Sequence, residues 1–405
     1  MLGLLAAVAA GCAPAEEPAN SGGDASGGDS GNLILDVAGQ LDGAPPGDSA
    51  ADMQNSDQVG PAPDRYLLVG TLVTPTEHFA GQLLAVGATI TCAEPGTACE
   101  QRPDAAGAHR IETKGLILPG LIDMHNHILF DIFDDDDWLP AKSYLDHNEW
   151  PKEARYAAML DVKQCLENAS QGKPTWCMAP YNTKEGNLKC EMDKWGELKG
   201  LIAGTTSIVG LAGTTAPCFA SVARTIDASQ NGLTADKVQT SALFPPSTAA
   251  ADGVCKNFAK GTTAAYLIHC GEGINDKAKA EFATLNAVST EDGCLLAPGT
   301  VITHGTAFDP PIFATMASTG VKLTWSPASN VALYGSTTDI PSALAAGVVV
   351  SLGPDWSMGG SQNMLDELRF ADGWDNSHWS NHLTPKDLLK MATVNAAQSL
   401  GLGDQ

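Results

Sequence analysis

The chain has 405 residues, a formal net charge of −24, 43% hydrophobic residues and 42 glycines. That length holds two or three average domains, or one α/β barrel with attachments, and the apolar fraction suits a large buried core. The acidic balance excludes the clustered Lys and Arg that a nucleic-acid backbone or an anionic lipid surface demands, so nucleic acid is not an expected partner.

At the N-terminus an apolar run carries Leu2, Leu4, Leu5 and Val8 and ends in small residues before Cys12. This resembles a bacterial lipoprotein signal (1–12), although the positively charged leading segment of such signals is absent. The run is too short to span a bilayer. The expectation is an exported protein facing the periplasm or cell surface, anchored to a membrane only through lipid on Cys12. Residues 13–62 are rich in Gly, Ser, Asp and Pro, bury too little to order themselves, and read as a flexible tether. The chain has ten cysteines with no CxxC spacing, which fits disulfides in an oxidising compartment. Cys92 with Cys99 and Cys255 with Cys294 are the expected pairs, and Cys270 the expected free thiol.

Residues 63–115 contain short β-type runs, Tyr66–Val73 and Gln82–Ile90, which read as part of a small β domain. From 116 to 405 the rhythm changes. Apolar runs recur at Leu116–Ile122, Thr205–Leu211, Thr240–Phe244, Ala264–Ile268, Val301–Thr303, Val321–Trp325 and Val348–Leu352. Helical patterns separate most of them. Ala278, Phe282 and Leu285 follow a cap at Asn275, and Thr384-Pro385-Lys386-Asp387 opens another helix. Buried strands alternating with helices imply a parallel sheet, and so many of them a closed (β/α) barrel. Between the first two runs lies an insertion, about 128–200, with Trp138, Trp150, Trp176 and four successive aspartates, Asp134–Asp137. The aspartates have the donors for calcium, but a solvated loop is the preferred reading. The insertion is expected to lid the pocket.

Polar residues fall where such a barrel puts its chemistry, at the C-terminal ends of strands. His125 and His127 end the first run, alternate around Asn126 and so share a face. His269, with Glu272 three residues on, ends the run Ala264–Ile268; His304 and Asp355 end later ones. Imidazole and carboxylate together suit one divalent metal. His78, His109, His147, His378 and His382 sit in polar stretches and read as ordinary surface residues.

The ordered series Pro119-Gly-Leu-Ile-Asp-Met-His125-Asn-His127, His269-Cys-Gly-Glu272, Thr303-His304-Gly, Ser326-Pro-Ala-Ser-Asn330 and Leu352-Gly-Pro-Asp355 resembles the amidohydrolase superfamily. The branch it is most similar to is that of cytosine deaminase and triazine hydrolase. The resemblance implies an α/β fold, a (β/α)8 TIM-type barrel beside a small β-sandwich built from both chain ends, and the returning C-terminal strands of that sandwich are not expected within these residues. It implies His125, His127, His269 and Asp355 as metal ligands, with zinc the expected ion and iron(II) the alternative. Asp355 and Glu272 are implied as proton-transfer groups, with His304 beside the substrate. No Lys lies within Thr240–Phe244 to bridge a second ion, so one metal is expected. Trp356, where such enzymes carry a small residue, either narrows the pocket or packs beneath it. The reaction implied is attack of a metal-activated water on a non-peptide C–N bond in a small nitrogen heterocycle or cyclic amide. A chlorohydrolase-type activity and an inactive surface-anchored binding lipoprotein are the alternatives, and an oligomer is compatible with this reading.

Overall fold

The computed structural model describes residues 8–9, 64–168, 188–211, 222–227, 233–234 and 236–403. The tether, most of the leading segment, and Cys12, Trp176, Cys177 and Cys218 lie outside them. Five strands form a first sheet: β1 (Val8–Ala9), β2 (Arg65–Val73), β3 (His78–Val86), β4 (Thr89–Pro95) and β5 (His109–Ile117), in the order β1-β5-β2-β3-β4. Leu68, Leu72 and Leu83 pack on one face and Leu67, Leu84 and Cys92 on the other. The Cys92–Cys99 disulfide ties β4 to the turn that follows it. Among the described residues this small domain is one sheet, and no second sandwich layer is seen. It also runs two residues beyond the expected boundary, because Thr71 and Leu72 pair with Leu116 and Ile117. The apolar run Leu116–Ile122 is thus divided between two sheets at Leu118-Pro119-Gly120, where Pro119 has no N–H to continue a ladder.

Eight parallel strands follow: β6 (Leu121–Asp123), β7 (Thr205–Ile208), β8 (Arg224–Thr225), β9 (Val238–Ser241), β10 (Ala265–Cys270), β11 (Thr300–His304), β12 (Lys322–Trp325) and β13 (Val350–Leu352). They are arranged as a TIM-type barrel. The first and last meet where Met124 N–H donates to the Leu352 carbonyl at 3.1 Å and Asp355 N–H to the His125 carbonyl at 2.8 Å. β8 escapes a sequence reading because two residues carry no periodicity. β10 and β11 are buried at every position, as strands covered on both faces must be. Alternate residues divide between two cores. Tyr266, Ile268 and Cys270 pack outward against Phe282 and Leu285, while Ala265 and Leu267 fill the interior with Met124, Val209 and Val301.

The expected caps form. Asn275 Oδ1 accepts from Ala278 N–H at 3.0 Å, and Thr384 and Asp387 make a reciprocal capping box. Cys255–Cys294 is a disulfide and Cys270 is free and buried; Cys165 and Cys190 are also disulfide-bonded. The insertion carries helices Ala154–Asn168 and Leu188–Ile202, the second of which leads directly into β7 as a barrel helix. The true excursion therefore ends before the expected residue 200.

Candidate metal centre and its cavity

Strand alternation and two backbone turns bring the chemistry together. His269 shares the parity of Leu267 and so belongs to the interior series. His304 and Asp355 stand at φ of 73° and 74°, left-handed conformations that are costly for residues bearing a Cβ and that swing their side chains off the strand course. His125 Nε2 lies 2.9 Å and His127 Nε2 3.4 Å from the same oxygen, Asp355 Oδ1. His127 Nε2 and His269 Nε2 are 3.2 Å apart. His125, His269 and His304 form one group of converging donor atoms, and His125, His127 and Asp355 another, each within 4.8 Å.

These residues fit a cation. His125 Nε2 is buried, close to a carboxylate oxygen, and lacks an aligned hydrogen bond. His269 Nδ1 faces the Ser241 carbonyl at 3.1 Å, so Nδ1 carries the proton and Nε2 presents its lone pair to the cluster. Burial pulls the His127 imidazole down to about 3 against the opposing charge of Asp355, and His125, His304 and Lys163 add to the fall. Burial and the neighbouring imidazoles hold His269 far below its ordinary range as well. Both rings are therefore neutral, the form that ligates metal. Burial works against the charge on Asp355, yet His125, His304 and His127 outweigh it and hold its carboxyl well below the usual range. Beneath the cluster, buried Asp123 accepts from His125 N–H at 3.0 Å and from Asn126 Nδ2 at 2.9 Å.

His304 Nδ1 faces Asn330 Oδ1 at 2.9 Å, and Glu272 Oε2 lies 3.8 Å from His304 Nε2. The other Glu272 oxygen accepts from the Tyr334 hydroxyl at 2.6 Å, which in turn accepts from Trp150 Nε1 at 3.0 Å. All of this opens on a cavity of about 540 Å³ walled by Phe130, Trp150, Tyr156, Phe244 and Trp356. The insertion supplies the first three of these. Trp356 does both things expected of it as alternatives, lining the cavity and packing at 5.5 Å from the His127 ring.

Every site residue named from the sequence falls in this cluster. The reading of His147 was wrong. It lines the cavity, and its Nε2 lies 2.7 Å from Glu281 Oε1. Burial disfavours its charge, but the Glu281 hydrogen bond and the carboxylates of Glu272, Glu281 and Asp146 prevail and raise its pKa. Nothing local marks His147, since its neighbours are polar and the contact is tertiary. Tyr334 was also missed, although it follows Asn330 by four residues and so shares its helix face. The four aspartates close their own turn, Asp134 N–H donating to Asp137 Oδ2 and Asp136 N–H to Asp134 Oδ1.

A model of the amidohydrolase family matches residues 116–405. The 5'-deoxyadenosine deaminase of Methanoregula boonei is 28% identical over 74% of this chain and 69% of its own length. The 5-methylthioadenosine/S-adenosylhomocysteine deaminase of Thermococcus onnurineus is 26% identical over 72% and 71%. Among solved structures, an atrazine chlorohydrolase mutant from Arthrobacter aurescens TC1, complexed with zinc and atraton, superposes with a TM-score of 0.62 at 16% identity, covering 84% of this chain and 83% of its own. The chain belongs to the amidohydrolase family and is a hydrolase acting on carbon–nitrogen bonds.

Proposed function

We propose that the protein is a metal-dependent deaminase of a small planar nitrogen heterocycle. The observation that carries this reading is the convergence of His125, His127, His269 and Asp355 beneath an aromatic-walled cavity that also holds Glu272 and His304. Flat aromatic walls favour a flat ring, and the relatives' names refer to adenosine derivatives while a solved structure holds a triazine.

His125, His127, His269 and Asp355 would hold one divalent ion, zinc by expectation. When bound, such an ion supplies Lewis acidity and lowers the pKa of a water toward neutrality. Asp355, ionised at any working pH, takes up the proton released as water attacks the ring carbon. Glu272 Oε2 delivers a proton to the departing amine. His304, its Nδ1 committed to Asn330 Oδ1, directs Nε2 at the reacting group. Burial of the cluster excludes competing water from these transfers.

Metal analysis and a deamination screen test the reading. About one zinc or iron per chain, lost in His125→Ala, with ammonia released from a purine, pyrimidine, triazine or cyclic imide, is expected. A metal-free chain that binds such a ring unchanged would favour a binding protein and end the proposal.

A further inference from the structure

We infer that Tyr334 is a positioning residue that fixes which oxygen of Glu272 carries the transferable proton, and that Trp150 of the insertion sets its direction. The inference rests on the role proposed above for Glu272. An indole N–H can only donate, so the Tyr334 oxygen must accept from Trp150 Nε1. The phenol has a single proton, which is then directed at Glu272 Oε1 at 2.6 Å. While that bond stands, Oε1 is an acceptor and bears no proton. A proton on Glu272 therefore resides on Oε2, the oxygen facing His304 Nε2 at 3.8 Å. Tyr334 is 2% exposed and does not line the cavity, so it acts through Glu272 and not on substrate.

The insertion and the Glu272 loop are also tied together by backbone. His147 N–H donates to the Glu272 carbonyl at 3.2 Å and Ile274 N–H to the Leu145 carbonyl at 2.8 Å. Glu281 bridges the same two segments, accepting from Gly271 N–H at 2.8 Å while its other oxygen meets His147. Trp150 thus reaches Tyr334 from a segment already clamped to the loop that carries Glu272. Docking of the insertion and orientation of the proton donor are one arrangement.

A double-mutant cycle tests this. Tyr334→Phe is expected to lower kcat about tenfold at nearly constant KM and unchanged metal content, a fraction of what a positioned general acid contributes. Trp150→Phe removes the indole N–H but keeps an aromatic side chain in the cavity wall, so lost substrate contact is read in KM, while kcat, the quantity the cycle compares, is expected to fall about threefold. The double variant should be no slower than Tyr334→Phe alone, because without the phenol the indole N–H has nothing to orient. Independent, multiplying losses, or Tyr334→Phe with wild-type kcat, would overturn the inference. A readout free of activity is the phenolic C–O stretch of Tyr334, isolated as the Raman difference between wild type and Tyr334→Phe. A band at the position of a phenol donating to carboxylate is expected, and an acceptor-only position overturns the inference. A wild type that turns over nothing in the screen while Tyr334 reads as donor upholds the hydrogen-bond order and sinks the proposed reaction instead.

Discussion

Gly353 lies at the joint between the first and last barrel strands, and a single methyl there should disable the metal centre. A Cβ at this position would stand 2.4 Å from His125 N, 2.8 Å from His125 Cβ and 2.9 Å from His125 Cα. Ordinary contact for a carbon is about 3.5 Å, so the two backbones must part by roughly 1 Å. The joint cannot yield freely. Met124, Asp355 and His127 N–H groups bond across it, the last at 2.6 Å to the Asp355 carbonyl. Overpacking of this kind costs about 1–3 kcal/mol, and weakening of those backbone bonds adds about 1 kcal/mol each. Gly353→Ala should therefore lose roughly 4–6 kcal/mol of stability. The same shift exceeds the roughly 0.5 Å tolerance of a working ligand set and pulls His125 from Asp355. Urea unfolding and metal content after dialysis measure the two effects. Gly253→Ala is the control, since its Cβ meets nothing within 4 Å inside helix Thr248–Lys260 and should gain up to about 1 kcal/mol. Gly353→Ala with wild-type stability and full metal would refute the reasoning.

The raised pKa of His147 means its pairing with Glu281 stabilises the fold fully below about pH 6.5 and is lost as pH rises through the raised value. The stability gap between wild type and His147→Gln should accordingly shrink as pH rises from about 6.5 through the raised value; a gap independent of pH contradicts it. Glu367 is fully buried, and burial pushes its carboxyl up to about 8 despite hydrogen bonds from Ser361 and Ala328 N–H. The folded state then holds a proton that the unfolded state releases, so stability falls as pH climbs from about 4.5 toward 8. Glu367→Gln should flatten that slope in unfolding measurements, and an unchanged slope would assign it elsewhere. Thr384→Ala removes the cap of helix Pro385–Met391 and should cost about 1 kcal/mol by denaturant midpoint, with turnover intact.

The candidate metal centre is legible in the sequence because barrel chemistry collects at strand ends, where a polar residue interrupts an apolar run. His125, His127, His269, His304 and Asp355 all announce themselves in that way, and the caps at Asn275 and Thr384 do so through local hydrogen-bonding chemistry. The cavity wall is not legible on the same terms. His147 and Tyr334 reach the site through contacts with residues more than 60 positions away, Glu281 and Glu272. Neither contact leaves a periodic trace. β8 is too short to show a pattern, and the run at Leu116–Ile122 misleads because hydrophobicity does not record which of two sheets a strand joins. The division is between residues placed by their own strand and residues placed by someone else's.

Asp355 closes the barrel with its backbone and meets His125 and His127 with its side chain, against a partner strand at the far end of the domain sequence. Contacts of that separation form late, after the intervening loops have been closed at their entropic cost. Ligand assembly is thereby delayed until the first and last strands find each other. Metal uptake during refolding should track completion of the ring and lag the formation of the central strands β10 to β12, which makes the ion a reporter of the final stage of folding.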